Sequence, residues 1–150
     1  MPERVRLVGV NHVALSVGDV EEALAFYGAV FEIRLRGREP GMAFIDMGDQ
    51  FIALSRGRRQ PADEDRHFGL VVDDREEVRR ALQERGLRVA PEGSVDFSDP
   101  WGNHIQVVDY RDIQFSKTPA ALRAVGGEGL VKRPNARREM AAKGLLDAPR

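Results

Sequence analysis

The chain has 150 residues, about the length of one domain, and its 42% hydrophobic residues are enough to form a core. No apolar run reaches the roughly 18 residues of a membrane span, no apolar signal region follows the first residues, and the absence of cysteine excludes disulfides, thiolate metal sites and cysteine nucleophiles. The net charge of −1 hides an acidic body, with 14 Arg against 20 Asp and Glu over residues 1–110, and we expect a cytoplasmic protein that binds neither nucleic acid nor a membrane.

The first half of the chain predicts a strand, a helix and three further strands. β-branched and apolar residues predict a strand over Val10–Val17. Asp19, followed three residues later by Glu22, is typical of a helix N-cap, and apolar residues at i, i+3, i+4 and i+7 spacing follow it. The later strand candidates, separated by turn residues, are Ile33–Gly37, Met42–Met47 and Phe51–Arg56.

The second half predicts the same order of elements. A strand over His67–Val72 is followed by Asp74 as N-cap, with Glu77 three residues later, and the helix ends at Gly86. Residues 98–103 are rich in turn formers. The strand candidates are Leu87–Ala90, Gly93–Phe97 and His104–Tyr110. Both halves therefore predict a βαβββ unit.

The two units also repeat in sequence. His12–Glu22 aligns without a gap with His67–Glu77 at an offset of 55 residues, and six of the eleven positions are identical. Because the period is long and occurs only twice, the pattern indicates duplication of one unit within a domain and not a solenoid.

The last segment, residues 111–150, predicts a helical extension. Two short helices are expected over Pro119–Val125 and Pro134–Leu146, with a flexible break at residues 126–129. We expect the extension to fold over the body or across a partner subunit, and its apolar side chains are candidates for a subunit interface: Leu122, Val125 and Leu130.

Alternation along the strands predicts which residues face the helices. The helix-facing set is Val13, Leu15, Val17, Phe68, Leu70, Val72, Ile105 and Val107. The opposite face then carries His12 in the first unit and His67 in the second, with His104, Gln106 and Tyr110 on the last strand. One histidine is thus predicted at the same place in each unit, on a face that two curved sheets would enclose.

The sequence resembles the vicinal oxygen chelate superfamily, which includes glyoxalase I, extradiol dioxygenases, methylmalonyl-CoA epimerase, and fosfomycin and bleomycin resistance proteins. The matching segments are Gly9–Leu15, Ala25–Tyr27, His67–Leu70 and Asp99–Gln106. The resemblance implies an α+β fold in which two tandem βαβββ modules, about 7–57 and 65–110, form curved mixed sheets around a cavity. It places one domain at 1–110 and the extension at 111–150.

The resemblance also implies a metal site. The ligand positions of metal-using members correspond here to His12, Ala53, His67 and Gln106. Ala53 stands where glyoxalase-type members have a carboxylate, and Gln106 where most members have Glu. The implied site is therefore His12, His67 and Gln106 around one divalent ion: Fe, Mn, Ni, Zn or Mg. In the alternative, the two histidines remain and no metal binds.

The residues leave several roles open. His104 is a candidate general acid or base, or else an exposed histidine at a turn. Tyr110 is a candidate donor to an oxyanion, or else a packing residue. We interpret the chain as a homodimeric enzyme of lyase, isomerase or dioxygenase type acting on a small molecule. The alternative is a metal-free protein of bleomycin-resistance type that sequesters an apolar ligand.

Overall fold

The helices and strands follow the two predicted units. The structure is a computed structural model that describes residues 4–146. The first unit forms β1 His12–Val17, α1 Val20–Val30, β2 Leu35–Glu39, β3 Met42–Asp46 and β4 Phe51–Arg56. The second unit forms β5 Phe68–Val72, α2 Arg75–Glu84, β6 Val95–Ser98 and β7 His104–Asp109. A 3-10 turn at Tyr110–Asp112 then leads to α3 Pro119–Ala124 and α4 Pro134–Ala142.

Each unit contributes one small mixed sheet. The strand order is β1-β4-β3-β2 in the first sheet and β5-β7-β6 in the second. In both sheets the strand before the helix pairs in parallel with the last strand of the unit, and the other pairs are antiparallel. The α+β fold class is confirmed. β1 and β5 lie at the edges of their sheets.

The second unit has one strand fewer than predicted. Leu87–Ala90 is not a strand, and the sheet therefore has three strands. The reason is Arg79, which is 4% exposed. Its guanidinium donates to the carbonyl oxygens of Ala90 and, at 2.6 Å, Gly93. These carbonyls are satisfied by a side chain, and Pro91 has no N–H to offer a neighbouring strand.

Both predicted N-caps are confirmed. The Asp19 carboxylate accepts the Glu22 N–H at 2.8 Å, and the Asp74 carboxylate accepts the N–H groups of Glu76 at 2.9 Å and Glu77 at 3.2 Å. The carboxylates satisfy N–H groups that have no partner within the helix. Both helices therefore begin where the short-range pattern predicts.

The predicted alternation is confirmed in the core. Leu15, Val17, Leu70, Ile105 and Val107 are buried, and they form one cluster with helix residues of both units. The helix residues in this cluster are Ala23, Tyr27, Val78 and Leu82. The helix-facing sides of the two sheets therefore share one core.

A buried carboxylate connects the two units. Asp99, in the turn between β6 and β7, is 4% exposed and accepts the Tyr27 hydroxyl at 2.8 Å. It also accepts the Asn103 side chain at 2.8 Å and the backbone N–H groups of Trp101 and Asn103. The Asn103 amide in turn donates to the Ser16 carbonyl of β1 at 3.0 Å. Burial and then the Asp99 charge raise the pKa of the Tyr27 hydroxyl well above its usual value, so the hydroxyl stays a donor.

The extension packs on its own chain. The Lys117 ammonium donates to the Met47 carbonyl at 2.8 Å and to the Asp49 carboxylate. Val125 lies so close to Gly48 that a Cβ there would be 2.9 Å from Val125 Cγ1. Both predicted helices form, although the second ends at Ala142. No helix between residues 4 and 146 is long and apolar enough to cross a membrane.

The end of β7 supports a prediction about pH. Burial by itself raises the pKa of Asp109, but the hydrogen bonds from the Arg111 side chain, the Arg111 N–H and the Arg75 N–H outweigh it and lower this pKa to about 2. A carboxyl whose pKa is lower in the folded state stabilises the fold above its unfolded pKa of about 3.9. This contribution is lost as the pH falls toward 2.

We therefore expect Asp109→Asn to lower the free energy of unfolding by about 2 kcal/mol at pH 7. The difference from the parent chain should shrink between pH 4 and pH 2. Urea titrations at several pH values measure this difference in the free energy of unfolding. Asp65→Asn, on an exposed loop residue, is the control and should change the free energy by no more than about 0.5 kcal/mol. A constant difference across this pH range would contradict the role of the carboxylate charge.

Candidate functional site

His12 lies at the start of β1, on the face turned away from α1. Its ring is exposed and stacks on Phe51 of β4, with the ring centroids 4.7 Å apart. Nδ1 is 2.9 Å from the Asn11 side-chain oxygen. Because an amide oxygen only accepts, Nδ1 carries the hydrogen and Nε2 presents its lone pair to solvent.

His67 has the same arrangement at the equivalent place in the repeat. It directly precedes β5, is exposed, and its Nδ1 lies 2.8 Å from the Asp65 carbonyl oxygen. Its Nδ1–H donates to that carbonyl, and Nε2 is again left with a free lone pair. Histidines that bind metals have this form, with one nitrogen fixed by an acceptor and the other facing the ion. Each of the two histidines therefore has Nε2 available to a ligand.

His104 differs from the other two histidines. Its Nε2 is 3.0 Å from the Asp96 carboxylate and its Nδ1 is 3.3 Å from the Glu64 carbonyl oxygen. Both ring nitrogens lie beside acceptor oxygens, so neither nitrogen of His104 is open to a metal. Its ring centroid lies 5.2 Å from that of His67. The structure therefore brings His67 and His104 together.

The sequence did not single out Asp96, although a signal was present. Asp96 of β6 pairs with Gln106 of β7 in an antiparallel register, and directly opposed residues share a face. A strand at this position puts Asp96 beside His104 and Gln106. The carboxylate fixes the His104 ring and places a negative charge next to Gln106.

Gln106 is half-buried on the face opposite the core. Its side-chain amide has no hydrogen-bond partner among the described residues, which leaves the oxygen free for a ligand. On its other side is Gly69, where an added Cβ would meet no atom within 4 Å. Ala53, at the fourth family position, is 4% exposed and offers only a methyl group.

Tyr110 is at the other end of β7, about 20 Å along the strand from His104. It is 7% exposed, its hydroxyl accepts the Lys117 N–H at 3.4 Å, and Lys132 lies 3.5 Å above its ring. Within one chain the two candidate catalytic residues are therefore too far apart to act on the same atom.

A cavity of about 540 Å³ lies between the edge strand β5, the end of α1, the first residues of β1 and the extension. His12 and Tyr110 are among its lining residues, whereas His67, His104 and Gln106 are not. His104 and Asp96 line a smaller pocket of about 300 Å³. Within residues 4–146 no three His, Asp or Glu side chains form a group that could hold a metal. The candidate metal ligands with an available atom are the imidazoles of His12 and His67 and the amide oxygen of Gln106.

Comparison with known proteins gives consistent matches. The sequence profile of the Glyoxalase/Bleomycin resistance protein/Dioxygenase superfamily matches residues 9–107. Lactoylglutathione lyase from Agrobacterium tumefaciens is similar, at 25% identity and a TM-score of 0.55, over 70% of this chain and 96% of that one. A glyoxalase family protein from Bacillus anthracis has 25% identity and a TM-score of 0.58, over 71% and 98%.

A third structure has a metal and a small ligand. It is a mutant of the fosfomycin resistance protein FosX from Listeria monocytogenes, complexed with Mn(II) and 1S,2S-dihydroxypropylphosphonic acid. The identity is 17% and the TM-score 0.58, over 68% of this chain and 90% of that one. This likeness concerns the fold.

Proposed function

Because the chain belongs to the Glyoxalase/Bleomycin resistance protein/Dioxygenase superfamily, we propose that it is an enzyme that binds a divalent metal ion and a small substrate with vicinal oxygens. The observation that carries this proposal is the matched state of two histidines. His12 and His67 occupy equivalent repeat positions, and each has Nδ1 held by an acceptor and Nε2 free. The Gln106 amide oxygen is the third ligand.

The chemistry of this donor set suits a borderline divalent ion. Imidazole nitrogens bind Fe, Ni and Zn, and an amide oxygen accepts the harder Mn and Mg as well. When bound, such an ion polarises the oxygens of the substrate and stabilises negative charge that develops on them. The Asn11 and Asp65 oxygens keep the two rings in the tautomer that binds. We assign the acid–base role to His104, whose ring Asp96 orients on the face that carries Gln106.

We also infer a homodimer. A single chain puts His12 at the large cavity but His67 and Gln106 outside it, so a second subunit would complete the site. The edge strands β1 and β5 are available for pairing, and the segment before β1 exposes Val5, Leu7 and Val8 almost completely. The cytoplasmic location stays a prediction.

A metal-free ligand-binding protein is the second candidate. The large cavity favours it, because its lining is mainly apolar and includes only one of the three proposed ligands. Such a protein needs neither a carboxylate as third ligand nor a carboxylate at position 53.

Calorimetric titration of the untagged parent chain with Mn²⁺, Fe²⁺, Ni²⁺ and Zn²⁺ tests the enzyme. We expect saturable binding, with a loss of about 100-fold in affinity for His12→Ala and for His67→Ala. His104→Ala is the matched control and should retain the affinity, since its nitrogens are already occupied. Sedimentation velocity on the same samples should give a dimer. A parent chain that binds none of these ions would leave only the second candidate.

A further inference from the structure

The C-terminal extension forms one wall of the large cavity. The family match ends at residue 107, before this wall begins. The residues of the wall that contribute apolar side chains are Tyr110, Phe115, Leu122, Ala124, Val125 and Leu130. The opposite wall comes from the two modules, with Phe31, Ile45 and Leu70 among its residues. The extension therefore closes one side of the cavity.

Two lysines hold the wall in place. Lys117 binds the turn between β3 and β4 through the Met47 carbonyl and the Asp49 carboxylate, and only 9% of its side chain is exposed. Lys132 donates to the carbonyl oxygen of Ile113 at 2.8 Å and to those of Tyr110 and Phe115. Lys117 therefore ties the wall to the first module, and Lys132 ties the start of the extension to its later part.

We propose that this cavity binds an uncharged, mainly apolar small molecule, and that the extension determines its specificity. The volume of about 540 Å³ lies within the range of roughly 300–1,000 Å³ that is typical of ligand sites. In the wall, Phe115, Leu122 and Leu130 are only partly buried and Val125 is exposed, and a ligand would remove their side chains from water.

The charges around the cavity exclude an anionic ligand. Lys117 is neutralised by Asp49, and Arg34 lies at the surface 3.9 Å from Glu32. The remaining ionisable lining residues are His12 at the exposed start of β1, two tyrosines, and the acidic Asp46 and Asp73, whose carboxylates repel anions. A buried cation without a partner would be needed to bind a carboxylate or phosphate, and the described lining residues do not include one.

Tyr110 gives the site one polar group. Its hydroxyl accepts the Lys117 N–H, but no described residue accepts the phenolic hydrogen. A ligand with one carbonyl, ether or hydroxyl oxygen would satisfy this donor. Tyr110, first considered for catalysis, is here a residue that orients the ligand.

Two dyes with the same ring system test the proposal in EDTA, so the result does not depend on metal binding. N-phenyl-1-naphthylamine is uncharged, and 1-anilinonaphthalene-8-sulfonate carries a sulfonate. We expect the uncharged dye to saturate at about one site per chain and the sulfonate to bind at least about 10-fold more weakly. Leu122→Asp places a charge in the wall and should weaken binding of the uncharged dye by about 10-fold or more. The control is Val131→Asp, on a residue of the extension that is 65% exposed and does not line the cavity. It should change the affinity for the uncharged dye by no more than about twofold.

Several results would overturn the proposal. These are failure of the uncharged dye to saturate, equal or tighter binding of the sulfonate, and equal losses for the two variants. Dye binding that weakens as the protein concentration rises would mean that a second copy of the chain covers the cavity. Circular dichroism verifies that the variants are folded. If Leu122→Asp does not fold, the comparison of the two dyes on the parent chain still tests the proposal.

Discussion

Gln106→Glu is expected to raise the affinity for Mn²⁺ and Zn²⁺ by about 10–100-fold, because it places a full negative charge on an otherwise neutral ligand set. Without metal the effect has the opposite sign. The new carboxylate lies directly across from Asp96, and like charges on opposed residues of a sheet destabilise it. We therefore expect the variant to be about 1 kcal/mol less stable than the parent chain in EDTA. At saturating metal it should be more stable than the parent chain.

Thermal melts with and without the ions measure both effects. Adding His12→Ala to Gln106→Glu should abolish the gain, since the ligands act as a unit. Gln60→Glu, on an exposed loop residue, makes the same chemical change away from the site and should alter neither melt by more than the equivalent of about 0.5 kcal/mol. If Gln106→Glu lowers the melting temperature equally with and without ions, the metal-dependent enzyme is rejected.

Asp99→Ala is expected to have the largest effect on stability, a loss of about 3–5 kcal/mol in the free energy of unfolding. Four donors would lose their acceptor in the interior: the Tyr27 hydroxyl, the Asn103 side-chain amide, and the N–H groups of Trp101 and Asn103. Because these donors belong to both units, the loss should also loosen the contact between them.

Urea denaturation measures this loss. Tyr27→Phe removes one donor and leaves the carboxylate with three others, so a smaller loss of about 1–2 kcal/mol is expected. Asp65→Ala, on an exposed loop residue, is the control and should stay within about 0.5 kcal/mol. A loss for Asp99→Ala as small as that of the control would mean that water replaces the carboxylate.

The faces on which the candidate site residues lie were predictable because they depend on strand alternation. A residue at the start of each repeat, on the face away from the helix, is fixed once the strand is fixed. The faces of His12 and Gln106 were predicted in this way, and the structure places both on the face away from the helices. His67 directly precedes β5, and the role of the three residues as metal ligands, which the family resemblance implies, stays a prediction. The resemblance to the superfamily is confirmed, since its profile matches the same segment.

Other features depend on residues that are far apart in the sequence. The alternation of Leu87–Ala90 favours a strand, but Arg79 binds the Ala90 carbonyl at the end of that segment and the Gly93 carbonyl that follows it. Trp101 lies against Gly18, where a Cβ would be 2.4 Å from its indole nitrogen. The sequence pattern predicts a turn over residues 98–103. It does not indicate that Asp99 connects this turn to α1 through the Tyr27 hydroxyl.

The extension also has some features that follow from local sequence and others that depend on tertiary packing. Its two helices follow from proline positions and local spacing, and the sequence alone determined them. The apolar residues Leu122, Val125 and Leu130, which the sequence makes candidates for a subunit interface, line a cavity of their own chain, and the interface stays a prediction. The sequence by itself determined the helices, the caps, the strand faces and the repeat, because each depends on residues within a few positions of one another. Only the tertiary structure decided the three-stranded second sheet, the Asp99 junction and the cavity, because each depends on packing between segments that no local pattern brings together.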